Sequence, residues 1–367
     1  MTAPLRVLFV VPHPIEGPSS RFRVYQFLDD LRAAGARAEI SPFLTSAQVQ
    51  VIYRPGALAG KVKALLWGAL RRLGDIVRAG RFDVVYVLRE AFPFGPPWVE
   101  QALRVCAGRL VFDFDDAIYM PSLAHHNPLD RWRDFDKPRT LIRMAAHVVV
   151  GSEYLRRYAL RHARAEGQVT VLPTVVDTEV YRPRPAATVP GAGFAKLSVG
   201  WIGTPRGSAY LRDLLDVVAA LAASAPGLSF CFIGAEPFDT RGLPIRFADW
   251  RLQHEVSDLQ SFDIGIMPLT DDEETRGKCG FKLIQYMAVG IPVVCSPVGA
   301  NRDIVLSGET GFFADTSAEW VAALQRLAHD PALRARLGRR GRERVEQCYS
   351  RRAVAPRLLA VLNEAAK

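Results

Sequence analysis

Residues 277–299 read GKCGFKLIQYMAVGIPVVCSPVG, and the rest of the chain is read outward from this stretch. Gly277 and Gly280 bracket Lys278 and Cys279 and permit a tight turn with backbone N–H groups directed inward. The spacing of Phe281, Ile284, Gln285 and Ala288 predicts a short helix after that turn, ended by Gly290 and Pro292. Residues 292–296 (PVVCS) then read as a short buried strand bounded by Pro297 and Gly299. A glycine turn that opens a helix N-terminus, with Lys278 and Lys282 on either side, is a place to hold phosphate. Both the orphan N–H groups and the helix dipole favour an anion there. The same spacing also fits a loop–helix–strand unit of any α/β protein with two solvated lysines. It is not a P-loop, because the G-x-x-x-x-G-K-[ST] spacing is absent.

A chain of 367 residues exceeds one ordinary core and suits two domains. Hydrophobic residues at 49% and charged ones at 23% describe a globular chain rather than a disordered one. Its apolar runs stop short of the ~18 residues that a membrane span needs. Residues 1–12 make a poor signal peptide and read better as a first core strand. The five cysteines are scattered and odd in number, with no C-x-x-C spacing. That argues against a disulfide framework or a zinc site and points to a reducing cytoplasm. A net charge of +9 calls for anionic partners, among which nucleotide sugar, anionic lipid headgroup and nucleic acid all qualify. A clustered aromatic-plus-basic motif, which nucleic acid would ask for, is missing.

The first half alternates strand, loop and helix. Strands are expected near residues 5–11, 37–43, 83–89, 109–116, 148–152 and 169–173, with helices over 21–34 and 153–164. This order implies a parallel sheet covered on both faces. The loop after the first strand, residues 12–20, lies where open α/β sheets bind ligands, although G-x-G-x-x-G is absent. Residues 57–78 keep helical apolar spacing and carry five basic residues against the single acid Asp75. Such a helix lies on an anionic membrane surface or simply packs on a sheet with its lysines solvated. Asp113, Asp115 and Asp116 end a strand and suit a cation, acceptor binding or electrostatics. His125 and His126 follow in a Pro-rich loop, where His126 faces an acceptor or merely solvent.

A Pro-, Gly- and Ala-rich segment then marks a linker at 183–196, between a domain over 1–182 and another over 197–351. The second half restarts the pattern. A strand over 197–204 ends in Gly203 and Thr204, and Arg206 precedes a helix over 209–223, which makes a second anion-friendly turn. Trp250 suits either a stack against a base or the core. A final helix over 352–367 is expected to start near Pro356, which would occupy its first turn.

The run G-K-x-x-F-K-L-x-Q-Y-M-A-x-G-x-P-V-V resembles the nucleotide-sugar site of the family-4 (group 1) glycosyltransferases, retaining enzymes of the GT-B fold. The resemblance implies two Rossmann-like parallel-sheet domains facing a central cleft, with the last helix packing back on the first domain. It implies transfer of a sugar from a nucleotide-diphosphate sugar to a glycan or lipid-linked acceptor, with no metal or other cofactor. On these positions Arg206, Lys278 and Lys282 would stabilise the leaving diphosphate. Gly17, Gly203, Thr204 and the N–H groups of Gly280 and Phe281 would approach the donor. Gln285 would hold the ribose, Trp250 would lie by the base, and Asp115, Asp116 and His126 would lie on the acceptor side. The family's two glutamates, eight positions apart, fall on Gly277 and Gln285. The loss at Gly277 keeps two other readings open: a binding or scaffold protein on a transferase fold, and a nucleotide-sugar epimerase.

Overall fold

A computed structural model describes residues 4–52, 54, 56–123, 128–184, 197–225 and 227–367. The chain forms two compact units, Met1–Thr174 with Arg351–Lys367, and Val175–Ser350.

Unit 1 is built on β1 (Arg6–Val11), β2 (Arg37–Pro42), β3 (Val84–Leu88), β4 (Leu110–Phe114), β5 (His147–Val150) and β6 (Val169–Val171). They form one six-stranded sheet in the order β2-β1-β3-β4-β5-β6, and every pairing is parallel. The central strands are mostly apolar because helices cover both faces, with Asp113 near the end of β4 as the buried exception. Leu8, Val10, Val85, Val87, Phe112 and Phe114 are fully buried in one cluster. After β1 the chain moves outward to β2 and then returns to the other side of β1 as β3. That reversal opens a crevice at the carboxyl ends of β1 and β3, the place where such sheets bind ligands. The helix Arg351–Ala365 belongs to this unit and buries Val354, Leu358, Val361 and Leu362.

Unit 2 holds β7 (Leu197–Ile202), β8 (Leu228–Ile233), β9 (Ile245–Ala248), β10 (Ile264–Met267), β11 (Val293–Cys295) and β12 (Gly311–Phe313). The order β12-β11-β10-β7-β8-β9 is again parallel throughout and places the reversal between β7 and β10. Residues 175–184 fold with this unit rather than with the first, which the sequence reading had carried to 182. Arg342 holds them there, donating to the carbonyls of Tyr181 and Thr178.

Several local expectations change. The expected helix over 21–34 is broken at Val24 into Pro18–Arg23, a 3-10 turn and Leu28–Ala33. The break leaves Arg23 buried against Asp113. The helix over 209–223 is likewise divided, into Ser208–Arg212 and Leu215–Ser224. The acidic run after Leu269 is no open turn: Asp272 and Thr275 form a capping box on the helix Glu273–Arg276. The last helix begins at Arg351, which pairs with Asp30 at 3.6 Å, so Pro356 lies inside the helix rather than in its first turn.

The helix Leu58–Arg78 departs furthest from its sequence pattern. Its inward face is Ala64, Gly68, Arg72 and Asp75. Gly68 lets the Phe43 ring lie where a Cβ would stand, only 2.4 Å away. Arg72 donates to the carbonyls of Val11, Ser41 and Ala91 and to Asp75, which ties the ends of three strand loops together. Leu66, Leu70, Leu73 and Val77 face outward.

Candidate functional site

In unit 2 the two anion-friendly turns meet at the carboxyl end of β7. The helix Phe281–Ala288 is fixed there because Ile202 N–H donates to the Tyr286 hydroxyl at 3.0 Å. Gly280 enters that helix at φ +64, which favours glycine, and a Cβ there would lie 2.4 Å from Ile304 Cδ1, so that methyl would have to move. No side chain caps this helix start among the described residues.

From its first turn Lys282 reaches β7: its ammonium lies 5.1 Å from the centre of the Trp201 ring. A Cβ on Gly203 would meet Lys282 Cε at 2.9 Å and the Trp201 ring at 2.3 Å, so the absence of a side chain at 203 lets the lysine lie down there. Lys278 stands 5.7 Å from the centre of the Tyr210 ring and 3.4 Å from Glu274. Thr204 and Arg206 are exposed in the intervening turn. Arg206, Lys278 and Lys282 therefore lie around one segment, residues 203–210, at the reversal between β7 and β10. Phe281 is half-buried beside them.

The turn itself differs from expectation. Gly277 N–H donates to Glu274 O and Lys278 N–H to Thr275 O, both at 3.1 Å, which closes the preceding helix. Those two groups are not aimed at a ligand.

One turn further along, Gln285 is buried and its Nε2 donates to Glu255 Oε1 at 3.2 Å. Trp250 Nε1 donates to Glu255 Oε2 at 2.9 Å, and the Tyr181 hydroxyl also bonds this carboxylate. Glu255 is thus a buried acid that gathers three side-chain donors, including two of the expected donor-site residues. Sequence reading missed it, since Tyr181, Trp250, Glu255 and Gln285 share no spacing that would join them. A cavity of about 360 Å³ lined by Ser198, Ser229, Leu243 and Arg246 lies toward the strands' amino ends, away from this edge.

In unit 1 the crevice at β1 and β3 is lined by charge. Arg89, just after β3, adopts φ +61, which a non-glycine residue holds only when its surroundings demand it. Its Nε donates to Asp115 Oδ1 at 2.9 Å, its other arm pairs with Asp116, and Ser19 donates to Asp115 Oδ2 at 2.8 Å. Burial opposes the charge on Asp115, yet Arg89, Arg23 and Ser19 together hold its carboxyl below the usual range. Asp113 receives Arg23 through two bonds of 2.6 and 2.7 Å, and the Tyr86 hydroxyl at 2.7 Å. Each of the three aspartates is therefore engaged by a guanidinium. Of the expected acceptor-side pair, Asp115 is buried and Asp116 is 44% exposed. No cluster of three acids, histidines or cysteines able to hold a metal ion occurs among the described residues. His126 lies outside the described residues.

Gly17 serves a neighbour: a Cβ there would stand 2.4 Å from His13 Cβ. His13 is thereby tucked into the crevice. Burial, and then the charge of Arg89, push its pKa down to about 4 and keep it neutral. Sequence reading passed over this histidine as a loop residue.

Two parallel sheets, each with polar and cationic groups at its reversal point, define an α/β protein of the GT-B class. Residues 22–180 match the family model described as Glycosyltransferase Family 4, and residues 196–330 the one described as Glycosyl transferases group 1. The chain belongs to this family of glycosyltransferases. Among curated proteins it is similar to the D-inositol 3-phosphate glycosyltransferase of Arthrobacter sp. (strain FB24), 27% identical over 202 residues. That match spans 47% of this chain and 44% of the relative, so under half of the relative's length is matched. Among solved structures, Anabaena HepE in complex with UDP-glucose superposes with a TM-score of 0.72 at 17% identity, over 98% of this chain and 99% of the other. Sucrose-phosphate synthase from Thermosynechococcus elongatus gives a TM-score of 0.66 at 17% identity, covering 98% of each. At these identities the likeness concerns the fold.

Proposed function

We propose that the protein transfers a sugar from a nucleotide-diphosphate sugar to a glycan or lipid-linked acceptor, with retention of configuration and without a metal. The observation that carries the reading is the approach of Lys282 and Lys278 to the segment 203–210 at the carboxyl end of β7, a turn that itself carries Arg206. Breaking the bond between the sugar's anomeric carbon and the diphosphate oxygen leaves negative charge on that oxygen. Fixed ammonium and guanidinium groups at a helix start stabilise it. In this reading the acceptor hydroxyl forms the new bond to the anomeric carbon, and its proton passes to the leaving phosphate. No side chain is assigned as base. Gln285 keeps its carbonyl oxygen for a ribose hydroxyl while its amide is held by Glu255. HepE, solved with UDP and with UDP-glucose, makes uridine the first nucleotide to try. The reading places the protein in the cytoplasm, at the inner face of an anionic membrane.

Thermal stabilisation by UDP, GDP, dTDP and ADP tests it, on the wild type and on Lys282→Ala. A ligand at 100 times its dissociation constant adds about 2.7 kcal/mol to stability. A shift with one diphosphate that is lost in the variant supports the site. No shift with any of the four overturns the donor assignment in favour of a scaffold role.

A further inference from the structure

The outward face of the helix Leu58–Arg78 is apolar where a solvated surface would be polar. Val62, Leu66, Leu70, Leu73 and Val77 recur at intervals of three and four, and each is more than half exposed, Val77 at 87%. On an α-helix this makes a stripe about 22 Å long. The neighbouring helix Trp98–Ala107, which packs alongside, leaves Trp98 71% and Val105 78% exposed. Soluble monomers rarely show contiguous apolar patches above a few hundred Å² without a use for them.

We propose that this face docks unit 1 on the surface of an anionic lipid bilayer. Charge selects that occupant. Asp75, the one acid within residues 58–78, is buried against Arg72, so the helix itself presents no negative group outward, and the nearby Glu39 is paired with Arg78 at 2.7 Å. Lys63 is exposed at the edge of the stripe, and Trp67 and Arg71 continue that flank toward the C-terminus. Leucine and valine facing the acyl boundary, a tryptophan at its edge and cations at headgroup level are what an interfacial helix requires. A second copy of this face would fit less well, because Lys63 and Arg71 would meet their own like charges and the one nearby acid, Glu39, is already paired with Arg78. Among the described residues no helix is long and apolar enough to cross a membrane, so the contact is with the surface. The proposal extends the membrane part of the functional reading and does not depend on its chemistry.

Co-sedimentation of the full chain with vesicles tests it, using phosphatidylcholine alone and phosphatidylcholine mixed with phosphatidylglycerol. The wild type is expected on the mixed vesicles and largely absent from the neutral ones. The triple variant Leu66→Gln/Leu70→Gln/Leu73→Gln changes exposed side chains only, and should bind the mixed vesicles roughly tenfold or more weakly. Failure of the wild type to bind mixed vesicles, or undiminished binding of the variant, overturns the proposal. So does a wild-type dimer that the variant converts to monomer without any vesicle binding. Stabilisation by UDP, GDP, dTDP and ADP measured on the same samples separates the two claims: vesicle binding with no shift from any of the four supports docking and removes the donor assignment.

Discussion

Gln285 donates its amide to Glu255 across 3.2 Å, and both side chains are buried. The pair accounts for an amide where the family resemblance expects a carboxylate: a second acid at 285 would face Glu255 in a place that water hardly reaches. The charge has not vanished from the site. It sits one residue across, on a carboxylate that Tyr181 and Trp250 also serve.

Gln285→Glu is therefore expected to destabilise the protein by roughly 1–3 kcal/mol at pH 8. One carboxyl of the new pair would have a raised pKa in the folded state. Its contribution is then intact below the ordinary carboxylate pKa and is lost as pH rises through the raised value. Urea unfolding at pH 5 and pH 8 checks this, and a penalty that does not grow with pH would be contrary to it.

The two lysines should separate in their effects. Lys282 lies over Trp201 at the Gly203 turn, whereas Lys278 already has Glu274 at 3.4 Å. Lys282→Ala is expected to lower turnover by about 100-fold or more. Lys278→Ala should cost less, and equal losses would show that Glu274 releases its partner when donor binds. Initial rates of donor consumption decide between them.

His13 should report on acid sensitivity. Its folded pKa, near 4, lies below the ordinary histidine value of about 6.5, so the unfolded chain takes up its proton first. The linked stability is present above pH ~6.5 and falls by roughly 3 kcal/mol as pH drops toward 4. His13→Asn should flatten stability across that window. An NMR titration that finds His13 protonated at pH 6 would contradict the burial argument.

Asp113→Asn would leave Arg23 charged, buried and without its anion, at a cost of about 3–5 kcal/mol. Replacing both, as Arg23→Met/Asp113→Leu, should recover part of that loss. Chemical denaturation of the single and double variants measures it. A single variant as stable as the wild type would show that Leu172 O, Thr174 and Tyr86 suffice to hold the site.

The strands were legible because parallel sheets buried on both faces demand mostly apolar runs, as Leu8, Val85 and Phe112 show. The glycine at 280 that opens a helix was legible from local spacing, whereas the place where Lys282 lies, over Trp201, was not. What sequence could not show depends on distant partners. Glu255 matters through Tyr181, 74 residues away, and Arg23 through Asp113, 90 residues away. The helix at residues 58–78 kept two readings in the sequence for a different reason. Apolar periodicity tells which residues share a face but not whether that face turns inward, and here the small residues Ala64 and Gly68 and the ion pair Arg72–Asp75 took the inner side.

The helix Arg351–Ala365, which completes the core of unit 1, is made only after the whole of unit 2. At about 5–20 residues per second, the ribosome needs roughly 10–40 s to go from Thr174 to Ala365. Through that interval the first sheet must persist with Leu358 and Leu362 still missing from its core, while unit 2 is contiguous and can close before it. Unit 1 thus starts before unit 2 and is completed after it. A chain cut short after Ser350 would release a complete second unit tethered to an unfinished one, a natural target for chaperones and proteases.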